Sequence, residues 1–298
     1  MKKIFISLVA CVALFTSCID KEAATTLTDQ VFSCIQDEKW TLLNQIYPNS
    51  SQQQSFQNFR KYTIQEITPT KLYNAEVCVD ILIEYIENLA SPAIEKRIKL
   101  YLADNPQGDG YIVCDSEGFF LFDSNTEIYK YAIKTGCLKE LEHISDVQIC
   151  TQLNEAKIMQ DYYFNKIMAE LKEKVVIEKR WTEVYYAGQT HSEYAKITNN
   201  SQYDVQGLKY IFTRKTKGFP ASSFGKENVP IKVLKANQGF SFKPYEYAVY
   251  NTVTTTMQLV IEDKVVWNII NSMEYTGNEY DQYKEELANN STSSNETK

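Results

Sequence analysis

The sequence predicts an α+β chain: helices laid on an antiparallel sheet, a helical connector, and then an all-β sandwich. Three observations carry that prediction. Apolar residues recur at three- and four-residue steps before residue 50 and again between residues 124 and 174. A period of two runs through the segment from Val77 to Asp115. From Val175 the same period returns in short segments broken by turns. With 298 residues, 44% of them hydrophobic and only 10 glycines and 7 prolines, the chain is long enough for two folded domains.

The opening residues form the three zones of a secretory signal: Lys2 and Lys3, the apolar run Ile4 to Phe15, and small side chains at Thr16-Ser17 before Cys18. That run is too short to cross a bilayer as a permanent helix. The stretch resembles a bacterial lipoprotein leader. The resemblance implies cleavage of residues 1–17, acyl chains such as palmitate on Cys18, and a protein held in the cell envelope, with the outer membrane as the expected address. Leu8-Val9-Ala10-Cys11 is a second cleavage box. Its apolar core would be Ile4 to Ala10, at the bottom of the roughly 7–15 residues such cores need. Ile19-Asp20-Lys21-Glu22 resembles signals that sort lipoproteins to the outer face of the outer membrane, and residues 18–26 are expected to be a tether. Nothing after Ser17 offers 18 uninterrupted apolar residues, so no second span is expected. Without Lys2 and Lys3, 29 basic residues face 38 acidic ones, a formal charge of −9. Such a balance opposes nucleic acid and anionic headgroups as partners.

Residues 27–123 read as the first domain. Thr28 is the expected cap of a helix carrying Val31, Cys34 and Ile35, then Trp40, Leu42, Leu43 and Ile46 before Tyr47-Pro48. A second short helix is expected near Phe56 to Tyr62. Val77, Val79, Ile81, Ile83 and Tyr85 share one strand face, with Asp80 and Glu84 on the other. Ile98, Leu100 and Leu102 repeat the pattern, and the loop from Asn105 to Gly110 turns the chain into Tyr111 to Asp115. Asp37 to Leu43 with Tyr47-Pro48, the strand Glu76 to Tyr85 and the close from Tyr111 to Gly118 together resemble the cystatin-like cone of the nuclear transport factor 2 superfamily. That resemblance implies helices on one face of a sheet and, in some members, a greasy pocket where a carboxylate and a tyrosine move a proton beside a carbonyl. Asp80, Asp115 and Tyr101 are the candidates for such a pair. Asp80, however, falls on the polar side of its strand, and Asp115 sits at a strand end where Asp commonly binds turn backbone. Bulky side chains at Trp40, Phe56 and Tyr101 are expected to decide whether the interior is filled.

Residues 124–174 read as a helical connector. Ser124-Asn125-Thr126-Glu127 is a capping box for a helix ending at Gly136, and Ser145 with Gln148 opens a longer one reaching Lys174. Residues 175–272 give about eight short strands, the last of them Val265 to Ile270 in a hairpin with Leu259 and Ile261. Tyr194 to Ser201, Leu208 to Phe212 and Asn237 to Phe240 resemble small immunoglobulin-like sandwiches of exported bacterial proteins. The tail, residues 273–298, is expected to be disordered, since from Thr276 on it has no large aliphatic side chain except Leu287.

Five cysteines remain beside Cys11 and Cys18, an odd number, and Cys137 with Cys150 is the pair whose spacing would permit a disulfide. No CxxC exists and the two histidines are His143 and His191, so no metal and no cofactor is expected. The 21 tyrosines suit half-buried strands. Tyr185, Tyr186, Tyr245, Tyr247 and Tyr250 are the candidates for an exposed binding patch. The chain is expected to be a non-enzymatic module that binds or assembles with another envelope protein or a glycan, the alternative being a ligand pocket in the first domain.

Overall fold

The computed structural model describes residues 19–48, 59–86, 92–139, 144–185, 190–216, 223–228, 233–248 and 252–293; the leader and Cys18 lie outside them. The chain is α+β, with helices and open antiparallel sheets. It divides into two compact units, one of residues up to Ile133 with Cys137–Asn154, the other of Lys134–Gly136 with Glu155–Lys298. Among the described residues, no helix is long and apolar enough to cross a membrane.

The first unit begins with helix α1, Lys21–Gln36. Asp20 caps it, its Oδ1 accepting from the Ala23 amide at 2.9 Å, and Glu22 lies in the first turn where negative charge is favoured. The expected tether therefore lies largely inside a helix. Thr28, expected to be the cap, is buried mid-helix, its hydroxyl donating to the Ala24 carbonyl at 2.8 Å. The apolar row Ala24, Leu27, Val31 and Ile35 extends the helical face back past Thr28, and Thr25 and Thr26 bond to carbonyls one turn earlier instead of stopping the helix. A turn with Glu38 at φ 55° leads into α2, Trp40–Ile46.

Four strands follow as a meander: β1 Phe59–Pro69, β2 Val77–Tyr85, β3 Ile94–Asp104 and β4 Tyr111–Glu117, in the order β1-β2-β3-β4. From Phe59 on, strand β1 takes the place of the helix expected at Phe56 to Tyr62, whose first three residues lie outside the described residues. A register shift between Ile64 and Glu66 breaks its alternation and hides the period. Strand β2 alternates as expected, with Val77, Val79, Ile81, Ile83 and Tyr85 buried. These residues form one core with Ile98, Leu100, Leu102 and Val113 and with Val31, Phe32, Ile35 and Leu43 of the helices. Helix α3, Glu127–Lys134, begins one residue after Thr126, whose hydroxyl is the cap acceptor for the Tyr129 amide at 3.4 Å.

Helix α4, Asp146–Lys174, starts at the capping box read in the sequence: the Ser145 amide donates to Gln148 Oε1 at 3.1 Å and the Gln148 amide to Ser145 Oγ at 3.2 Å. Its start belongs to the first unit and its remainder to the second. The second unit holds β5 Val175–Tyr185, β6 Thr190–Asn199, β7 Val205–Gln206, β8 Lys209–Thr216, β9 Ser223–Asn228, β10 Val233–Leu234, β11 Gln238–Ala248 and β12 Thr252–Val260. They pair as β11-β6-β5, β12-β8-β9 and β10-β7. Phe240 and Tyr247 lie on the one strand β11. Pro244 sits at the register shift between Phe242 and Tyr245 on this edge strand, where a missing amide is tolerated. Tyr210 and Phe212 of β8 form a small core with Phe242, Met257 and Leu259, the Tyr210 and Phe242 rings lying 5.0 Å apart. Buried Asn199 ties the β6–β7 turn to the β10 end: its amide reaches the Tyr203 and Leu234 carbonyls at 2.7 and 3.3 Å, and its carbonyl accepts from the Ser201 amide at 3.0 Å.

Two sequence expectations fail at the C-terminal end. Val265 to Ile270 is not a strand but part of helix α5, Asp263–Ser272, because Val265, Val266, Ile269 and Ile270 are buried together at helical spacing. The expected hairpin is therefore absent. Residues 279–293 are helix α6, Glu279–Ser293, capped by Glu279, whose carboxylate accepts from the Thr276 and Gly277 amides at 2.7 and 3.0 Å. The Tyr280 amide also donates to the Thr135 carbonyl at 3.1 Å. Gly136 lies beside this approach at φ +72°, and a Cβ there would stand 2.0 Å from the Gly277 carbonyl oxygen. Gly136→Ala is expected to cost about 2 kcal/mol or more in a denaturant titration, through strain at that φ and the clash.

Candidate functional site

Chemistry-bearing side chains gather in three places, each built by the local order of the chain. The first is the outer face of the β1–β4 sheet. Alternation sends Leu100 and Leu102 into the core and Tyr101 the other way, in register with Cys78 and Asp115. Tyr101 is buried there under Tyr73, whose ring stands edge-on at 4.7 Å. Both hydroxyls donate to Glu117 Oε1, at 2.7 and 3.1 Å, and Lys99 Nζ lies 3.0 Å from Oε2. Burial and then the Glu117 carboxylate push the Tyr101 phenol far above its ordinary range. Burial works against ionisation of Glu117 too, but its donors Tyr101, Lys99 and Tyr73 hold it below the usual carboxylate range. A phenol so raised stays protonated and serves as a donor.

The second place is the junction between β4 and α4, two buried carboxylates apart in roles. Asp146 Oδ2 accepts from Ser116 Oγ at 2.5 Å, the Phe119 amide at 2.7 Å and the Phe120 amide at 3.2 Å, while Oδ1 accepts from the Gly118 amide at 3.1 Å. Ser116 Oγ also lies 2.8 Å from the Tyr47 hydroxyl. Asp115 Oδ1 accepts from the Ser116 amide at 2.7 Å and the Val147 amide at 3.3 Å. Burial raises both carboxyls above their usual range; hydroxyl and backbone donors oppose it. Asp146 thus fastens the loop after β4 to the first turn of α4.

Tyr101 and Asp115 stand opposite each other across β3 and β4, but the three proton-transfer candidates are each engaged with a different partner. Tyr101 is held by Glu117 on the outer face, Asp80 pairs with Arg97 Nε at 2.7 Å, and Asp115 binds backbone at the α4 start. Nor do the side chains expected to decide the filling of the interior do so. Trp40 is 37% exposed, Tyr101 faces away from it, and Phe56 lies outside the described residues. Phe32, Tyr47, Phe119 and Phe120 occupy the centre instead, with ring centroids between 5.4 and 6.4 Å apart along the chain of contacts.

Of the five candidate tyrosines, Tyr186 and Tyr250 lie outside the described residues. Tyr245 and Tyr247 of β11 pair with Glu193 and His191 of β6, whereas Tyr185 of β5 pairs with Thr190, itself opposite Ala248. The register therefore sets Tyr185 in the alternate rows from the other two. Cys137 and Cys150 are separate thiols: Cys137 Sγ donates to the Gln152 carbonyl at 3.1 Å, and burial pushes the Cys150 thiol up to about 12. Burial likewise carries Cys114 to about 11, a protonated and unreactive thiol that donates to the Tyr101 carbonyl at 3.2 Å. Among the described residues no cluster of His, Cys, Asp and Glu is placed to hold a metal ion.

The third place went unseen in the sequence. Helix α6 lies along α4 within the second unit. Tyr283 is buried against Tyr162 and Tyr163, with centroids 5.2 and 6.3 Å away. Lys166 Nζ sits 3.0 and 2.9 Å from the two oxygens of Glu286, and the Tyr162 hydroxyl donates to the same carboxylate at 2.9 Å. Glu155 receives both the Tyr280 hydroxyl and, at 3.1 Å, Lys284. A solvent-open recess of about 590 Å³ lies between the helices.

Comparison of the chain with family models, with curated proteins and with solved structures yields no match.

Proposed function

We propose that the chain is a lipid-anchored extracytoplasmic protein, attached through Cys18 to a membrane of the cell envelope, the outer membrane by our reading, and working by binding or assembly rather than catalysis. The observation that carries this reading is the leader itself: two lysines, a short apolar run and small residues directly before a cysteine. Acyl chains on one cysteine each bury many methylenes at about 0.8 kcal/mol apiece, so no other segment needs to touch the bilayer. The partner is another envelope protein or a glycan. Aromatic packing of the first unit's interior favours a surface over an interior pocket, and the carboxylates there already serve backbone and hydroxyl donors.

The finer architecture follows from the same residues. Two helices on one face of a four-stranded meander support a cystatin-like first domain, and the Tyr210–Phe242 contact between strands of two sheets supports a sandwich in the second.

Cys18→Ser is expected to move the protein from the membrane pellet to the soluble envelope fraction. Crosslinking of envelopes followed by capture of the anchored protein should then recover one stoichiometric protein or polysaccharide. A Cys18→Ser chain that stays in the pellet, or an anchored chain recovered alone, would count against the reading.

A further inference from the structure

The recess between α4 and α6 is formed by two facing sets of side chains at i, i+3 and i+4: Tyr162, Asn165 and Lys166 from one helix, Glu286, Asn289 and Asn290 from the other. We propose that it binds a neutral oligosaccharide, an inference that rests on the glycan half of the reading above. Its volume of about 590 Å³ falls in the range of small-ligand sites.

The chemistry of the lining selects the ligand class. Lys166 and Glu286 are the charged members, and they neutralise one another through contacts of 3.0 and 2.9 Å, with the Tyr162 hydroxyl donating to the same carboxylate. A phosphate or carboxylate entering the recess would meet the Glu286 charge beside Lys166, and a cation would meet the Lys166 charge beside Glu286. A polyol faces neither opposition. Three carboxamides line the recess, of which Asn290 is already hydrogen-bonded to the Tyr162 side chain; Asn289 and Asn165 carry donors and acceptors side by side, the pattern that vicinal hydroxyls match. The Asn165 amide already donates to the Asp161 carbonyl at 2.9 Å, which fixes its plane. The Tyr162 ring lines the recess with Lys166 Nζ 5.8 Å from its centroid, braced by Tyr163 at 5.3 Å and Tyr283 at 5.2 Å, and its remaining apolar surface is what sugar C–H groups would meet. Tyr283 is buried; Asn165, Asn289 and Asn290 stay exposed.

The test uses the full lipidated chain in a detergent without a sugar headgroup, titrated calorimetrically with maltohexaose, cellohexaose, xylohexaose, mannohexaose and chitohexaose. At least one is expected to bind with a submillimolar Kd. Asn165→Ala and Asn289→Ala should each weaken that binding tenfold or more without changing the circular dichroism spectrum, while Ile158→Ser, exposed on the same helix, should leave it unchanged. Absence of binding by all five at millimolar concentration, or binding indifferent to both asparagine substitutions, would overturn the proposal. Palmitate labelling of the same preparation reports the anchor separately. A labelled protein that captures an envelope protein and binds no sugar would leave the anchored module standing and remove the glycan site.

Discussion

Replacing Asp146 by alanine is expected to lower the stability of the first unit by about 3 kcal/mol, the scale on which removing one partner strands buried polar groups. The residue is 1% exposed and takes four donors: the Ser116 hydroxyl and the amides of Gly118, Phe119 and Phe120. None of these amides is part of the helix that Asp146 opens, so water would have to enter the junction to replace it. Asp146→Asn keeps an acceptor oxygen and should recover part of the loss. Urea unfolding followed at the first unit's tryptophan, Trp40, gives the comparison. A wild-type midpoint in the alanine variant would mean that the junction is held by packing of Phe119 and Phe120 alone.

Tyr283→Ala is expected to release α6 from the second unit, with a cost of about 3 kcal/mol typical of deleting a large buried side chain. Its ring is 5% exposed and closes the Tyr162–Tyr163 cluster. Helical signal from residues 279–293 should fall with it, because a short polar helix is marginal without a packed face. A tail that was disordered from the start would lose neither. Acid should loosen the same contact. Glu286 is held below the usual carboxylate range by Lys166 and Tyr162, and Glu155 by Tyr280 and Lys284 against the effect of burial. Both folded values lie below the unfolded ones, so their contribution is present above the ordinary glutamate value and fades as pH falls through the folded values, below about pH 4. Both groups are largely solvated, so the effect should be modest. Fluorine NMR of fluorotyrosine-labelled protein would follow both, read at Tyr162 for the substitution and at Tyr162 and Tyr283 for the titration.

What could be read from the chain was local. The α4 capping box and the helix end at Lys174 appear where Ser145, Gln148 and the apolar steps place them, and β2 alternates as its valines and isoleucines dictate. The misses share a cause: a pattern split by a second effect. Strand β1 hides its period behind a bulge, and α1 runs through threonines whose hydroxyls bond back along the helix. Helix α5 carries paired apolar residues that also fit a strand. Helix α6 offers no aliphatic stripe: its buried side chain is Tyr283, with Tyr280 half-buried and Leu287 exposed. Long-range pairings were beyond reach in principle. Asp146 meets a loop some thirty residues back, and Lys166 meets Glu286 across 120 positions. Spacing within each helix shows the two asparagine-bearing triplets, but only the fold sets them face to face.

Attachment at Cys18 is the claim on which the proposed function stands, and mass spectrometry of the N-terminal peptide from membrane-extracted protein tests it directly. The expected species begins at Cys18 and carries a thioether-linked diacylglycerol, with or without a further acyl group on its amine. A peptide that retains residues 1–17, begins at Cys11, or begins at an unmodified Cys18 would contradict it.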